Sequence, residues 1–332
     1  MRRPALRNAT QAILLEAHGG PDVLRLREVP LGPPGPGELR LRQTAIGVNF
    51  HDIYVRSGLY RTLALPGVPG IEAAGVVEAV GPDVTGFAVG DRVGYVTGAY
   101  GAYAMDRNLP AALALHLPDG LDESGAASIL IKGMTAGMLV RHVHPVRAGE
   151  TILVHAAAGG VGQLLCAWAR HLGATVIGTA GGPEKGEIAR AAGAHHVIDY
   201  RREDFVARVM AITNGAGVAA AYDSVGKDTF AGSLDCLDYQ GKLVNFGQSS
   251  GPVVPFAPSS LAAKSTSVHR PMLFHYMRDR DSLDRLAADL FAVIQAGVLR
   301  PAIGLRLPLS DCAAAQQALE ERRTTGAIVL TP

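Results

Sequence analysis

Apolar and polar positions change rhythm along this chain, and the change falls near residue 123. Before it, short runs of valine, leucine and alanine are cut by glycine and proline. The runs over 11–15, 38–45, 74–80 and 92–95 predict strands, with turns at Gly81-Pro82-Asp83 and Gly90-Asp91, as in a compact, strongly bent β-domain. Beyond the change, small apolar residues with few breakers predict a helix over 124–140. Strand and helix then alternate. Strands are expected over 151–155, 175–178, 196–198, 218–223 and 242–246, with helices over 162–171, 184–192, 202–212 and 227–237 between them. Strands joined through helices run parallel, so this stretch predicts a doubly wound sheet covered on both faces.

A sixth strand is expected over 266–269. Helices over 282–296 and 311–322 and strands over 305–307 and 327–330 close the chain, and their character matches the first segment better than the middle one. The expected organisation is therefore α/β: a tail over 1–10, a β-rich domain over 11–125, a doubly wound parallel-sheet domain over 126–270, and a return to the first domain over 271–332.

Composition narrows the classes. With 332 residues and 48% hydrophobic content the chain can build two cores, and a net charge of +1 gives no footprint for a nucleic-acid binder. No apolar run approaches the roughly 20 residues that span a bilayer. The three cysteines are scattered and odd in number, which predicts a reducing, cytoplasmic setting without a disulfide framework. The arginines of the first ten residues flank no apolar core, so this segment is expected to fray, with a targeting remnant as the lesser alternative.

The strongest chemical signal is the turn Ala156-Ala157-Ala158-Gly159-Gly160-Val161-Gly162, between a predicted strand and helix. It fits GxGxxG with Ala157 at the first glycine. Gly159 would let the backbone approach a pyrophosphate, and Gly162 would let the helix pack on the strand. The opening amides of the helix would face the phosphates. The second strand ends in Gly178-Thr179-Ala180-Gly181-Gly182, without the carboxylate that holds the ribose of NAD. Lys185 follows, and Tyr200-Arg201-Arg202 comes after the third strand. Cations attract a 2′-phosphate, so the expected cofactor is NADPH. Which of Arg201 and Arg202 takes part is left open by the sequence.

These features together resemble the quinone oxidoreductase (ζ-crystallin-like) family of the medium-chain dehydrogenases/reductases. The likeness rests on Gly47-Val48-Asn49-Phe50-His51-Asp52-Ile53-Tyr54, Arg56-Ser57-Gly58-Leu59-Tyr60, Pro69-Gly70-Ile71-Glu72, the glycine loop, Tyr222-Asp223-Ser224-Val225-Gly226 and Phe246-Gly247-Gln248-Ser249-Ser250-Gly251. It runs from about Gln11 to Pro332. It implies a GroES-like catalytic domain beside a Rossmann cofactor domain, hydride transfer from NADPH to a quinone, and a homodimer joined through edge strands near 266–270.

It also implies site residues. Thr135, Ala158, Gly159, Gly160, Val161, Gly162, Gly181, Lys185, Tyr200, Ser224, Phe246, Gln248 and Ser249 are expected to hold the cofactor. Thr135, read without the likeness, is simply a helix residue. Catalytic candidates are Asn49 as an amide donor, Tyr54 and Tyr60 as hydroxyl donors or stacking rings, and Asp52 as an organiser. Tyr54 is equally a core residue by its pattern, and Asp52 is equally the partner of Arg56 in an i,i+4 helix pair.

Zinc alcohol dehydrogenases of the same superfamily make a contrast. This chain has Asn49 at the place of their ligand cysteine, Ile71 at the place of their histidine, and no cysteine near Ile131-Lys132. No metal is expected, because a catalytic zinc needs about three protein ligands. His51 and Gln248 are local variations, and Gly326-Ala327 stands where relatives carry Gly-Lys. A close rival is NADPH-dependent reduction of the C=C bond of an α,β-unsaturated carbonyl. A non-enzyme rival is single-stranded RNA binding or a crystallin-like structural role, weakened by the 5% aromatic content and balanced charge.

Overall fold

The computed structural model describes residues 8–321 and 323–332. In chain order the elements are β1 (Ala9–Leu15), β2 (Leu24–Pro30), β3 (Glu38–Val48), α1 (Phe50–Ser57), β4 (Glu72–Val80), β5 (Arg92–Val96), β6 (Asp106–Pro110) and β7 (Ala114–His116). Then come α2 (Glu123–Gly137), β8 (Thr151–Val154), α3 (Gly160–His171), β9 (Thr175–Ala180), α4 (Pro183–Ala191), β10 (His196–Asp199), α5 (Phe205–Ile212), β11 (Val218–Asp223), α6 (Phe230–Asp235), β12 (Leu237–Asn245) and β13 (Ser267–His269). The chain closes with α7 (Leu273–Tyr276), α8 (Arg280–Gln295), β14 (Ile303–Pro308), α9 (Cys312–Glu320) and β15 (Ala327–Thr331).

Two compact units result. The first comprises residues 1–131, 279–287 and 301–332, and the second 132–278 and 288–300. In the first, the sheet runs β14-β15-β3-β4-β5-β7, with β6 also on β3, and β1 and β2 form a separate hairpin. All its pairs are antiparallel except β14 on β15. The last strands of the chain thus complete the sheet begun by β3. In the second unit the order is β10-β9-β8-β11-β12-β13, every pair parallel. That order reverses between β8 and β11, the crevice where an open parallel sheet binds its ligand. Both parts of the expected fold class are present.

Local chemistry sets the boundaries. β11 reads Val-Ala-Ala-Ala-Tyr-Asp because a central parallel strand is covered on both faces. It packs with Leu153, Ile177, Ile198, Val209 and Leu243 in one buried cluster. The helix expected from residue 227 starts only at Phe230. The cause is Asp223, whose Oδ1 accepts the amides of Val225 (2.8 Å) and Gly226 (3.0 Å) and the Thr229 hydroxyl (2.8 Å), so the chain turns before it coils. β12 starts five residues earlier than expected, since Leu237 already pairs with Val218.

The helix expected over 124–140 passes into a π-helical segment over Met138–Val143. The tail expected over 1–10 is corrected at its end. Residues 1–7 lie outside the described residues, but Ala9 and Thr10 belong to β1. The Thr10 hydroxyl donates to Asp106 (3.2 Å) and accepts its amide (3.0 Å), which fixes this start.

Candidate functional site

The second unit gathers its candidate residues at the carboxyl ends of its strands. The turn after β8 places Gly159 as the N-cap of α3, where no side chain caps the first amides. Helix-opening amides of this kind are the groups that an anion would meet. A Cβ on Gly162 would lie 2.3 Å from the Ala156 carbonyl oxygen, so α3 approaches β8 as only glycine allows. A Cβ on Gly160 would lie 3.2 Å from the stem of Lys132, which brings that side chain beside the loop; Thr135 follows on the same helix, α2.

The loops after β11 and β12 are laced together. Phe246 donates its amide to the Asp223 carbonyl (2.8 Å) and Ser249 to that of Ser224 (3.2 Å), so Ser224, Phe246, Gln248 and Ser249 share one rim.

After β9, Gly181 is buried, and a Cβ there would lie 2.6 Å from Tyr200 Oη and 3.1 Å from Arg201 Nε. A phenol and a guanidinium therefore close on one glycine at the strand end. Lys185 stands in the first turn of α4, opened by Pro183. The two arginines that the sequence left unresolved now separate. Arg201 reaches Gly181, whereas Arg202 is 3.9 Å from Asp199 with its side chain 78% exposed. The Asp199 carboxylate accepts the amides of Gly182 (2.9 Å) and Arg201 (3.1 Å). The Gly182 amide first, then that of Arg201 and the nearby guanidinium groups, hold its carboxyl below the usual range against a smaller desolvation effect.

Beneath these loops lies a residue the sequence reading passed over. His155 is 1% exposed, with Nδ1 3.0 Å from Thr179 Oγ1 and Nε2 2.9 Å from Ser233 Oγ. Burial pushes its pKa down to about 4, opposed in part by Asp223.

The first unit carries the other candidates. Asn49 is the N-cap of α1. Its amide N–H goes to Asp52 Oδ2 (2.8 Å), and Tyr103 Oη donates to the same oxygen (3.0 Å). Asp52 is fully buried, and Gly58 ends the helix in a left-handed turn (φ 81°). Asp52 therefore organises α1 through Asn49 and Tyr103. Arg56 turns instead to Glu320 (2.8 Å) and Gln316 (3.0 Å), so the i,i+4 pair is not its arrangement. Tyr54 and Tyr60 are half-buried, their rings edge-to-face at 5.1 Å, and His51 stands edge-on to Tyr60 at 5.5 Å.

Sequence reasoning missed Glu72. It is fully buried, accepts the Asn49 side-chain amide at 3.0 Å and takes the Ile131 N–H at 2.7 Å. Its signal was present: a carboxylate that opens an apolar strand directly after Ile71. This geometry also tests the metal. Asn49 turns its amide to Glu72, Ile71 is a fully buried hydrocarbon, and Glu72 already accepts two N–H groups, so this donor set does not fit zinc. Among the described residues no group of three or more His, Cys, Asp or Glu could hold a metal ion.

Comparison with known proteins decides the family. The alcohol dehydrogenase GroES-like domain model matches residues 35–119, and the zinc-binding dehydrogenase model matches 160–289. The chain is 47% identical to the quinone oxidoreductase of Pseudomonas aeruginosa, over 96% of this chain and 99% of that one. The chain belongs to the quinone oxidoreductase family. It is also 45% identical to a 2-haloacrylate reductase from a Burkholderia species, over 97% and 98% of the two chains. The crystal structure of Escherichia coli quinone oxidoreductase complexed with NADPH superposes with a TM-score of 0.94 at 42% identity, covering 97% of this chain and all of that one. Within this medium-chain dehydrogenase/reductase family the zinc-binding label of the second model is matched by no donor set among the described residues.

Proposed function

We propose that this protein is an NADPH-dependent oxidoreductase that reduces quinones by hydride transfer without a metal. The observation that carries the reading is the pair of cradles at the sheet's carboxyl edge. One is the uncapped glycine turn opening α3, and the other is Gly181 with Tyr200 and Arg201. The NADPH-bound relative superposes on this fold over nearly its whole length.

Under this reading the amides after Gly159 take the diphosphate, with Ala158, Gly160, Val161 and Gly162 shaping the turn. Gly181, Lys185, Tyr200 and Arg201 take the 2′-phosphate, favouring NADPH over NADH. Thr135, Ser224, Phe246, Gln248 and Ser249 line the nicotinamide end. When bound, the reduced nicotinamide supplies a hydride. Tyr54 and Tyr60 offer rings to a flat substrate and hydroxyls to its oxygen, Asn49 offers its second amide hydrogen, and Asp52 keeps α1 in place.

Reduction of a conjugated C=C bond is the second reading, favoured by the likeness to 2-haloacrylate reductase. Steady-state kinetics with NADPH and NADH, each against 1,4-benzoquinone and a linear enone with a chelator present, test both. Chelator-resistant quinone reduction that prefers NADPH is expected. Turnover of the enone alone would transfer the assignment to the second reading, and no turnover with either would overturn both.

Assembly as a homodimer is part of the proposal. β13 ends the parallel sheet, with Ser267 exposed and Val268 half-buried, so its outer edge is available for a second copy. Aspartate at both positions should move the elution volume to that of a monomer, and an unchanged volume would refute the edge contact. The three cysteines are free and buried, which suits a reducing, cytoplasmic location. Among the described residues no helix is long and apolar enough to cross a membrane.

A further inference from the structure

The aromatic cluster of the first unit contains a line of hydrogen bonds that the functions above do not use. Thr62 is exposed, and its hydroxyl bonds to that of Tyr100. Tyr100 Oη lies 3.2 Å from His51 Nε2, and Tyr100 is only 5% exposed. The His51 ring stands 5.9 Å from Tyr100 and 5.5 Å from Tyr60. Three groups thus lead from the surface to the rings of Tyr54 and Tyr60. Each of the three can both give and take a proton.

Tyr100 reaches this position in an unfavourable conformation. Its φ is +59°, in the left-handed region that a bulky side chain avoids, and Gly101 follows at +90°. Such strain persists only where the surroundings hold it, and here the hydroxyl is held from both sides. Burial keeps the His51 imidazole neutral, its pKa pushed down to about 4, so at neutral pH one ring nitrogen donates while the other accepts.

We propose that Thr62, Tyr100 and His51 form a proton relay that delivers to the Tyr54–Tyr60 cluster the proton consumed when a quinone or enone is reduced. The inference rests on the oxidoreductase reading above. Hydride from the reduced nicotinamide adds two electrons and one hydrogen to the substrate and leaves an anion, so one more bond to hydrogen must form. Water gives a proton to Thr62 and is left as hydroxide in bulk solvent, Thr62 passes its own to Tyr100, and Tyr100 passes its own to His51 Nε2. The imidazole then releases the proton of its other nitrogen to the substrate anion held at the rings of Tyr54 and Tyr60. The nicotinamide is oxidised, the substrate is reduced, and the relay resets as the hydroxyls rotate and the imidazole exchanges tautomer.

The test compares wild type, Thr62→Val, Tyr100→Phe and His51→Gln as whole proteins. With NADPH and 1,4-benzoquinone, each variant should lose about tenfold or more in kcat at an unchanged KM for NADPH. The solvent deuterium effect on kcat should grow in Tyr100→Phe, and added imidazole should restore part of the rate of His51→Gln. Without cofactor or substrate, the Nε2 resonance of His51 in 15N-histidine spectra should shift in Tyr100→Phe. An active wild type beside variants with its rate and isotope effect overturns the relay alone, as does an unmoved His51 resonance. A wild type inert to quinone and enone overturns the oxidoreductase reading and the relay with it.

Discussion

His51 and His155 sit in different units, and burial drives both imidazoles to about 4, yet their surroundings give them opposite capacities. The bonds of His155 have one direction. The Ser233 hydroxyl donates to the Thr229 carbonyl (2.7 Å), which can only accept, so Ser233 takes its other bond from His155 Nε2–H. Nδ1 must then accept from Thr179, whose oxygen takes the Ala156 N–H at 3.3 Å. A carbonyl at one end and an amide at the other lock the tautomer. Along Thr62, Tyr100 and His51 the hydroxyl and imidazole links run in either direction, and the outer end reaches solvent. One network fixes a loop, and the other can move a proton. The lesson is that what terminates a buried chain, more than which residues compose it, decides its use.

The largest expected effect breaks the locked network. His155→Leu takes the acceptor from the buried Thr179 hydroxyl and the donor from the buried Ser233 oxygen, leaving each with one bond of two, and such a loss costs about 3 kcal/mol. His51→Leu, at a half-buried position and leaving the Tyr100 hydroxyl its bond to exposed Thr62, should cost under about 1 kcal/mol while lowering turnover. Thermal unfolding of the two variants compares them. Equal losses of stability would abolish the distinction.

Acid titration is expected to give the next effect, and its sign follows from the depressed pKa. In the unfolded chain both imidazoles protonate near 6.5, whereas in the fold they resist until about 4. Between those values the unfolded state binds more protons, so stability is full above about 6.5 and drains away as pH falls towards about 4. Each histidine accounts for at most about 3 kcal/mol of that loss. Urea midpoints at pH 7 and pH 5 should therefore differ, and less so in His51→Gln. An undiminished slope in that variant would mean that His51 is already protonated in the fold at pH 5.

The two regions also differ in how far the sequence betrayed them. The parallel sheet, the glycine turn and the missing acid after β9 were legible because each is local: an apolar run, a fixed spacing, one strand end. β11 was read residue for residue, since a strand covered on both faces leaves an unbroken apolar signature. The fold-setting role of Asp223 escaped because an Asx-type turn and a helix start present the same residues. The relay was illegible for another reason. His51 and Tyr100 are 49 residues apart, and only the folded sheet of the first unit joins them. Glu72 was quoted within a motif but not chosen, because its partners, Asn49 and the Ile131 amide, lie 23 and 59 residues away. Arg201 and Arg202 are adjacent and chemically identical, so only the folded turn, which sends one to Gly181 and the other back to Asp199, tells them apart.

The smallest expected effect sharpens the comparison where the locked network ends. Thr179, held by His155, leads through Ala180 to Gly181, so the network's service is to keep that glycine under Tyr200 and Arg201. The guanidinium is exposed, which limits its share of phosphate binding to about 1 kcal/mol, or a severalfold change in KM. Arg201→Ala should raise the KM for NADPH by that factor and leave NADH unchanged. Arg202→Ala, whose side chain reaches back to Asp199, should alter neither. Initial rates at saturating quinone measure both variants. If Arg202→Ala weakens NADPH as much as Arg201→Ala, the charge near the strand end acts as a diffuse field, and the fixed position of Gly181 loses its claim to select the cofactor.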